Sequence, residues 1–211
     1  MKTVVVHFQL GNVGSVVTML KKIGVSAILT SDPAVIETAD RLILPGVGAF
    51  DRGMSKIHEL GLIKVLNHKV LEKKTPVLGI CLGMQILTRG SEEGTIPGLG
   101  WVDATTVRFD FKNQKSDNYE NLRVPHVGWN YVQPKPESRL FANMEKESRF
   151  YFTHSFYVRS NEQEQILATT NYGVDFVSAV KKQNVYGTQF HPEKSQRYGV
   201  QLLKNFMELC S

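Results

Sequence analysis

Along roughly the first ninety residues, short apolar runs alternate with segments whose apolar positions recur three and four apart. "VVVHF" (4–8) is β-branched and is followed by Gly11-Asn12, so it is expected as a strand. "VGSVVTMLKKIG" (13–24) has helical spacing and ends on glycine. "VSAILT" (25–30) is a second short strand, and Ser31-Asp32-Pro33 then reads as the cap and first turn of a helix to about Thr38. "RLILPG" (41–46) is a strand running into a glycine-rich loop. Residues 50–74 carry a helical pattern in one or two pieces. "PVLGI" (76–80) is the next strand, with helix from Met84 to Thr88.

From Trp101 onward the pattern changes. "VDATTVRF" and "WNYV" are short strand-like pieces, and the polar stretch 109–122 is expected as a mobile loop. "RFYFTHSFYV", "QILATT", "FVSAVKK" and "VYGTQF" follow as four strand candidates, and "SQRYGVQLLKNFMELC" closes the chain as an amphipathic helix. No repeat or linker interrupts the chain. The expectation is one α/β domain over residues 1–211: a doubly wound, flavodoxin-like, mostly parallel sheet flanked by helices, with antiparallel additions in the second half. Chemistry in such sheets sits at the carboxyl ends of the strands. "PGVG" and "GICLG" both fall at such ends.

Composition changes this picture little. The 211 residues are 42% hydrophobic and 21% charged, ordinary for a chain with a substantial core. No apolar run approaches the roughly 20 residues a membrane helix needs, and the apolar start is too short for a signal peptide. The two cysteines, Cys81 and Cys210, do not suggest a disulfide framework. A reducing, cytoplasmic compartment is expected. The net charge of +5 is spread over lysine pairs such as Lys21-Lys22 and Lys181-Lys182. That is a solvated surface; neither nucleic acid nor membrane is expected as a partner.

Gly79-Ile80-Cys81-Leu82-Gly83 places a cysteine between two glycines where strand gives way to helix. This is the pattern of a nucleophile elbow, in which the glycines permit a sharp bend and the helix start favours a thiolate. The Leu82 N–H would point at the same spot as an oxyanion donor. The alternative is a buried cysteine in a tight turn. Of the six histidines, His58 and His68 fall on surface helices, whereas His191 stands in "TQFHPEKS". Pro192 biases His191 toward extended backbone. In an extended segment Glu193 shares its face and can orient the imidazole as the third member of a triad. A surface turn, or a metal site with no further ligand cluster, are the other readings. "LPGVGAF" (44–50) can aim N–H groups at a phosphate or an oxyanion, or simply connect strand to helix.

"PGVGAF", "GICLGMQ", "THSF" and "GTQFHPEKS", in that order, resemble the class I (triad) glutamine amidotransferases. "GN" near the start, "SEEG" (91–94) and "VPHVGWN" (124–130) resemble one branch of that family, the glutaminase subunits of imidazole glycerol phosphate synthase. The resemblance implies that Cys81 attacks the amide of L-glutamine, His191 serves as base and then acid, and Glu193 orients His191. Val47 or Gly48, with Leu82, would form the oxyanion hole. Gly46, Gln85, Glu92, His154, Ser155 and Phe156 would surround the substrate. No metal or organic cofactor is implied.

Released ammonia is useful only if it reaches an acceptor before protonation, so a synthase partner is implied. In the resembled branch this is a (β/α)8 cyclase subunit of histidine biosynthesis, in a heterodimer that channels ammonia. Asn12, Pro125 and Trp129 are candidate interface residues, since tryptophan is enriched at hot spots; Trp129 in the core is the alternative. The segment 109–122 and "GLGWVDATTVRF" look closer to paralogues that feed a sugar amidotransferase of surface-polysaccharide synthesis. A non-catalytic module on the same fold, or a peptidase-like cysteine hydrolase, are more remote readings.

Overall fold

A computed structural model describes residues 1–11, 13–111 and 122–210. Asn12 and most of the polar stretch 109–122 lie outside the described residues. In chain order the elements are β1 (Thr3–Val6), α1 (Gly14–Lys22), β2 (Ala27–Thr30), α2 (Pro33–Glu37), β3 (Arg41–Gly46), α3 (Phe50–Glu59), α4 (Leu62–Asn67), β4 (Val77–Cys81) and α5 (Leu82–Gln85). Then come β5 (Thr105–Arg108), β6 (His126–Tyr131), β7 (Gln133–Pro134), β8 (Arg149–His154), β9 (Phe156–Arg159), β10 (Ile166–Tyr172), β11 (Val174–Lys182), β12 (Val185–Thr188) and α6 (Gln196–Leu209).

The central sheet runs β2-β1-β3-β4-β12-β11-β10-β7. From β2 to β12 the pairs are parallel, and from β12 through β11 and β10 to β7 they are antiparallel. The first five strands thus have the order of a flavodoxin-like sheet, with β12 in the fifth place. Burial on both faces explains their continuous apolar runs. On β1, Val4 and Val6 face one core and Val5 the other; on β3, Leu42 and Leu44 oppose Ile43. The first core is closed by α2, α3 and α4 through Ile36, Phe50, Met54, Ile57, Leu62 and Leu66. The second is closed by α1 and α6 through Val16, Leu20, Leu202, Leu203 and Phe206. The sheet is therefore wound on both sides.

The helical stretch 50–74 is in two pieces, divided at Gly61 in left-handed backbone with φ +66°, and its last part, His68–Glu72, is a π-turn. Two local expectations are revised. The helix after Cys81 is a single turn, Leu82–Gln85, and does not reach Thr88. The Thr88 hydroxyl and N–H both donate to the Gln85 carbonyl, at 2.7 and 3.1 Å, and this three-residue closure ends the helix. "RFYFTHSFYV" is two strands. It divides at Ser155, sending β8 to pair with β6 in a separate two-stranded sheet and β9 to pair with β5 and β11. No helix among the described residues is long and apolar enough to cross a membrane.

Candidate active site

Parallel register sets the site. Gly46 at the end of β3 lies beside Cys81 at the end of β4, and Thr188 at the end of β12 lies beside Ile80. Three strand ends thus carry the "PGVG" loop, the cysteine, and the "QFHPE" segment abreast. At Cys81 the backbone takes φ 56° and ψ −110°, a region a non-glycine residue enters only where its surroundings enforce it. The two elbow glycines supply that enforcement. A Cβ on Gly79 would lie 2.4 Å from the Gly83 carbonyl oxygen, and one on Gly83 would lie 1.6 Å from the Leu44 oxygen. Strand, turn and neighbouring strand approach too closely for any side chain there.

His191 follows β12 and is fixed by its backbone. Its N–H donates to Tyr151 O at 2.9 Å, and its carbonyl accepts from the Ser195 hydroxyl at 2.6 Å. Its Nδ1 meets Glu193 Oε1 at 2.7 Å, with both side chains buried. His191 is extended, with φ −101° and ψ 95°, but Glu193 sits in the 3-10 turn Pro192–Lys194. The pair meets through that turn, and the expected strand-like sharing of a face is not the cause. His191 Nε2 is buried with no hydrogen-bond partner among the described residues, and the Cys81 side chain is among the groups that act on the imidazole. Burial pushes this imidazole down, but the charge and polar contact of Cys81, with the Glu193 carboxylate, outweigh it and raise it to about 10. A protonated imidazole beside the sulfur is the form this geometry favours.

A cavity of about 200 Å³ opens over the sulfur, lined by Val47, Gly48, Cys81, Leu82, Gln85, Glu93, Pro125, Thr153, His154, Ser155 and Phe156. It suits an amino-acid-sized ligand. Gly48 stands at φ +125°, a conformation that favours glycine. Gly46 lies instead in a separate small cavity, with Pro45, Ile80, His191 and Glu193. Glu93, not Glu92, faces the main cavity. The Glu92 carboxylate accepts from Arg108 N at 2.9 Å, whereas Glu93 accepts from Phe50 N at 2.8 Å. Adjacent glutamates are indistinguishable by pattern; the segment just after them is pinned where Asp51 accepts from Thr95 N and Ile96 N. Pro125, expected at a partner interface, also lines this cavity.

A model of the family described as Glutamine amidotransferase class-I matches residues 4–210. The chain belongs to the class-I glutamine amidotransferases. It is 50% identical to "Imidazole glycerol phosphate synthase subunit HisH 2" of Methanococcus maripaludis, over 97% of this chain and 98% of that one. It is 47% identical to the protein of the same name in Pseudomonas aeruginosa, over 98% of each. Its fold matches a crystal structure of a glutamine amidotransferase with TM-score 0.74 at 22% identity, covering 98% of this chain and 97% of that one. A putative GMP synthase subunit of Thermoplasma acidophilum has TM-score 0.72 at 20% identity, over 100% and 94%.

In this amidotransferase the sequence reading missed Gln189 and His126. Gln189 is fully buried, with Nε2 3.8 Å from the Cys81 sulfur and Oε1 accepting from Gln85 Nε2 at 3.2 Å. A polar residue at the end of the apolar run "VYGTQF" was the available signal. His126, buried on β6, has Nδ1 3.0 Å from His154 Nε2. Burial lowers both imidazoles, His126 to about 4 and His154 to about 3. Trp129 lies on the same strand, 42% exposed and edge-on to Tyr151, so it is a surface residue. Among the described residues no cluster of three or more His, Cys, Asp or Glu is placed to hold a metal ion.

Proposed function

We propose that this amidotransferase is a glutaminase subunit, hydrolysing L-glutamine to glutamate and ammonia at Cys81 and passing the ammonia to a synthase partner. The observation that carries the reading is the Cys81–His191–Glu193 row at the strand ends. It combines strained cysteine backbone, an imidazole held high beside the sulfur, and a carboxylate 2.7 Å behind it.

The Cys81 thiolate attacks the amide carbon and forms a C–S bond. The oxygen gains charge and is met by the N–H of Leu82 and by that of Val47 or Gly48 from the facing loop; one such donor contributes roughly 3–4 kcal/mol. Collapse breaks the C–N bond, and the His191 imidazolium gives its proton to the departing nitrogen. Neutral His191 then takes a proton from water, the hydroxide attacks the thioester, and glutamate leaves as the thiolate returns. Glu193 stays ionised and holds the imidazole ring in place. Gln85 and Glu93, with the segment from His154 to Phe156, surround the substrate.

The names of the relatives support imidazole glycerol phosphate synthase as the assembly, with a (β/α)8 cyclase subunit as partner in a cytoplasmic heterodimer of histidine biosynthesis. The exposed Val127, Trp129 and Tyr131 on β6 offer that partner a surface beside the cavity. A second reading rests on "GLGWVDATTVRF" and the segment 109–122: the acceptor is a sugar amidotransferase of surface-polysaccharide synthesis. The test is reconstitution of the chain with each type of partner. Glutamine-dependent product should form with the cyclase at a rate far above hydrolysis by the chain alone; product only with the sugar amidotransferase would transfer the assignment to the second reading, and product with neither would overturn the proposal.

A further inference from the structure

Gln189 touches the nucleophile's sulfur, and which end of its amide does so is decided by its neighbours. Phe156 O, which can only accept, takes hydrogen bonds from His154 Nδ1 at 2.8 Å and from Gln85 Nε2 at 3.1 Å. His154 therefore carries its proton on Nδ1, and its Nε2 accepts from His126 Nδ1 at 3.0 Å. His126 Nε2 is then an acceptor, and Asn130 Nδ2 supplies it at 3.3 Å while also donating to Asn171 O at 2.9 Å. On the other side, Gln85 Nε2 spends its second hydrogen on Gln189 Oε1. The Gln189 nitrogen is left facing sulfur, 3.8 Å away. Two donor chains thus converge on the Phe156 carbonyl, and the one through Gln85 leaves Gln189 a single orientation, nitrogen toward the sulfur.

We propose that Gln189 is a positioning residue that donates an N–H to the Cys81 sulfur and holds it as an aligned thiolate, its polarity fixed by Gln85, whose nitrogen is in turn held by the Phe156 carbonyl. This rests on Cys81 being the nucleophile. As a thiol, Cys81 directs its S–H toward Thr153 O, 3.9 Å away. Once that proton has left, Thr153 O repels the sulfur and Gln189 is the side-chain amide that favours the charged form. The ionisable groups facing the sulfur are His191 backed by Glu193 after β12, His154 on β8, and Glu93 across the cavity. None of these replaces the N–H that Gln189 supplies, because His191 keeps its own pairing with Glu193.

The test uses iodoacetamide on the full chain carrying Cys210→Ser, so that Cys81 is the sole thiol. Gln189→Met fills the same space without a donor. In a folded variant, alkylation at neutral pH should slow about ten- to hundredfold, as expected for losing a hydrogen bond to a charged group. The midpoint of the alkylation profile should rise by about one pH unit or more. In the reconstituted complex kcat should fall while KM for glutamine stays within about threefold. An alkylation profile superposing on that of the parent would overturn the proposal. Should Gln189→Met fail to fold, the parent chain answers directly: the side-chain amide proton of Gln189, followed by NMR, should shift with the same midpoint as alkylation, and an amide indifferent to that transition would sink the idea. If glutamine does not protect Cys81 of the parent from alkylation, it is the glutaminase reading that fails, not the role of Gln189.

Discussion

Acid should unfold this protein through His126 and His154, which are buried neutral and stacked between strands. Their ordinary value in the unfolded chain is 6.5, and burial lowers them to about 4 and about 3 in the fold. Between pH 6.5 and about 4 the unfolded chain binds protons that the folded one refuses, so stability falls as pH falls. At pH 5 each imidazole shifts the balance toward unfolding by about 2 kcal/mol relative to neutral pH. His191 acts in the opposite sense. Raised to about 10, it stabilises the fold at low pH and loses that contribution only as pH rises toward 10. Over the same acid interval it returns about 1 kcal/mol. The net loss from these three groups between pH 7 and pH 5 is about 3 kcal/mol, a large part of a typical domain's 5–15 kcal/mol. The assay is urea unfolding at pH 7, 6 and 5, in the parent and in His126→Phe. Phenylalanine keeps the stack on Tyr172 and Phe152, whose rings lie 3.9 and 4.8 Å from His126, but cannot titrate. The variant starts less stable, because His154 Nε2 loses its donor, yet its acid loss between pH 7 and pH 5 should be about 1 kcal/mol, roughly a third of the parent's. An acid slope unchanged by the substitution would refute the reasoning.

Replacing the nucleophile by Cys81→Ser should abolish glutamine-dependent product and spare ammonia-dependent product of the partner, while Cys210→Ser changes neither; both rates are read on the reconstituted complex. Glu193→Gln should lower glutaminase turnover less than His191→Ala, since an amide still touches the imidazole but does not stabilise its charged form; steady-state rates with circular dichroism decide, and equal or reversed losses would reassign the two roles. Gly83→Ala should cost several kcal/mol, because its Cβ would sit 1.6 Å from the Leu44 oxygen, whereas Gly90→Ala meets nothing within 4 Å and should stay within about 0.5 kcal/mol; thermal unfolding of both checks this.

The parallel half of the sheet was legible because each strand buries both faces and each crossover helix shows its period between turn residues. Cys81, His191 and Glu193 were legible for a different reason: glycines flank the first, and proline restricts the backbone of the second. What stayed hidden depends on contacts distant in sequence. Glu92 and Glu93 differ only in how Asp51 pins the segment just after them. Ser155 looks like one more residue of a ten-residue strand until two sheets compete for its flanks. Gln189 matters through Gln85 and Cys81, both over a hundred residues away, and no local pattern reports such a pairing.

The most direct test of the central claim is to catch the acyl-enzyme. The complex is mixed with isotope-labelled glutamine, quenched in acid within the first turnovers, digested, and examined by mass spectrometry. The account predicts a labelled glutamyl group on the peptide containing Cys81, absent from Cys81→Ser and accumulating in His191→Ala in proportion to any residual acylation. A complex that releases labelled glutamate with no label on Cys81, or with label on another residue, would contradict it.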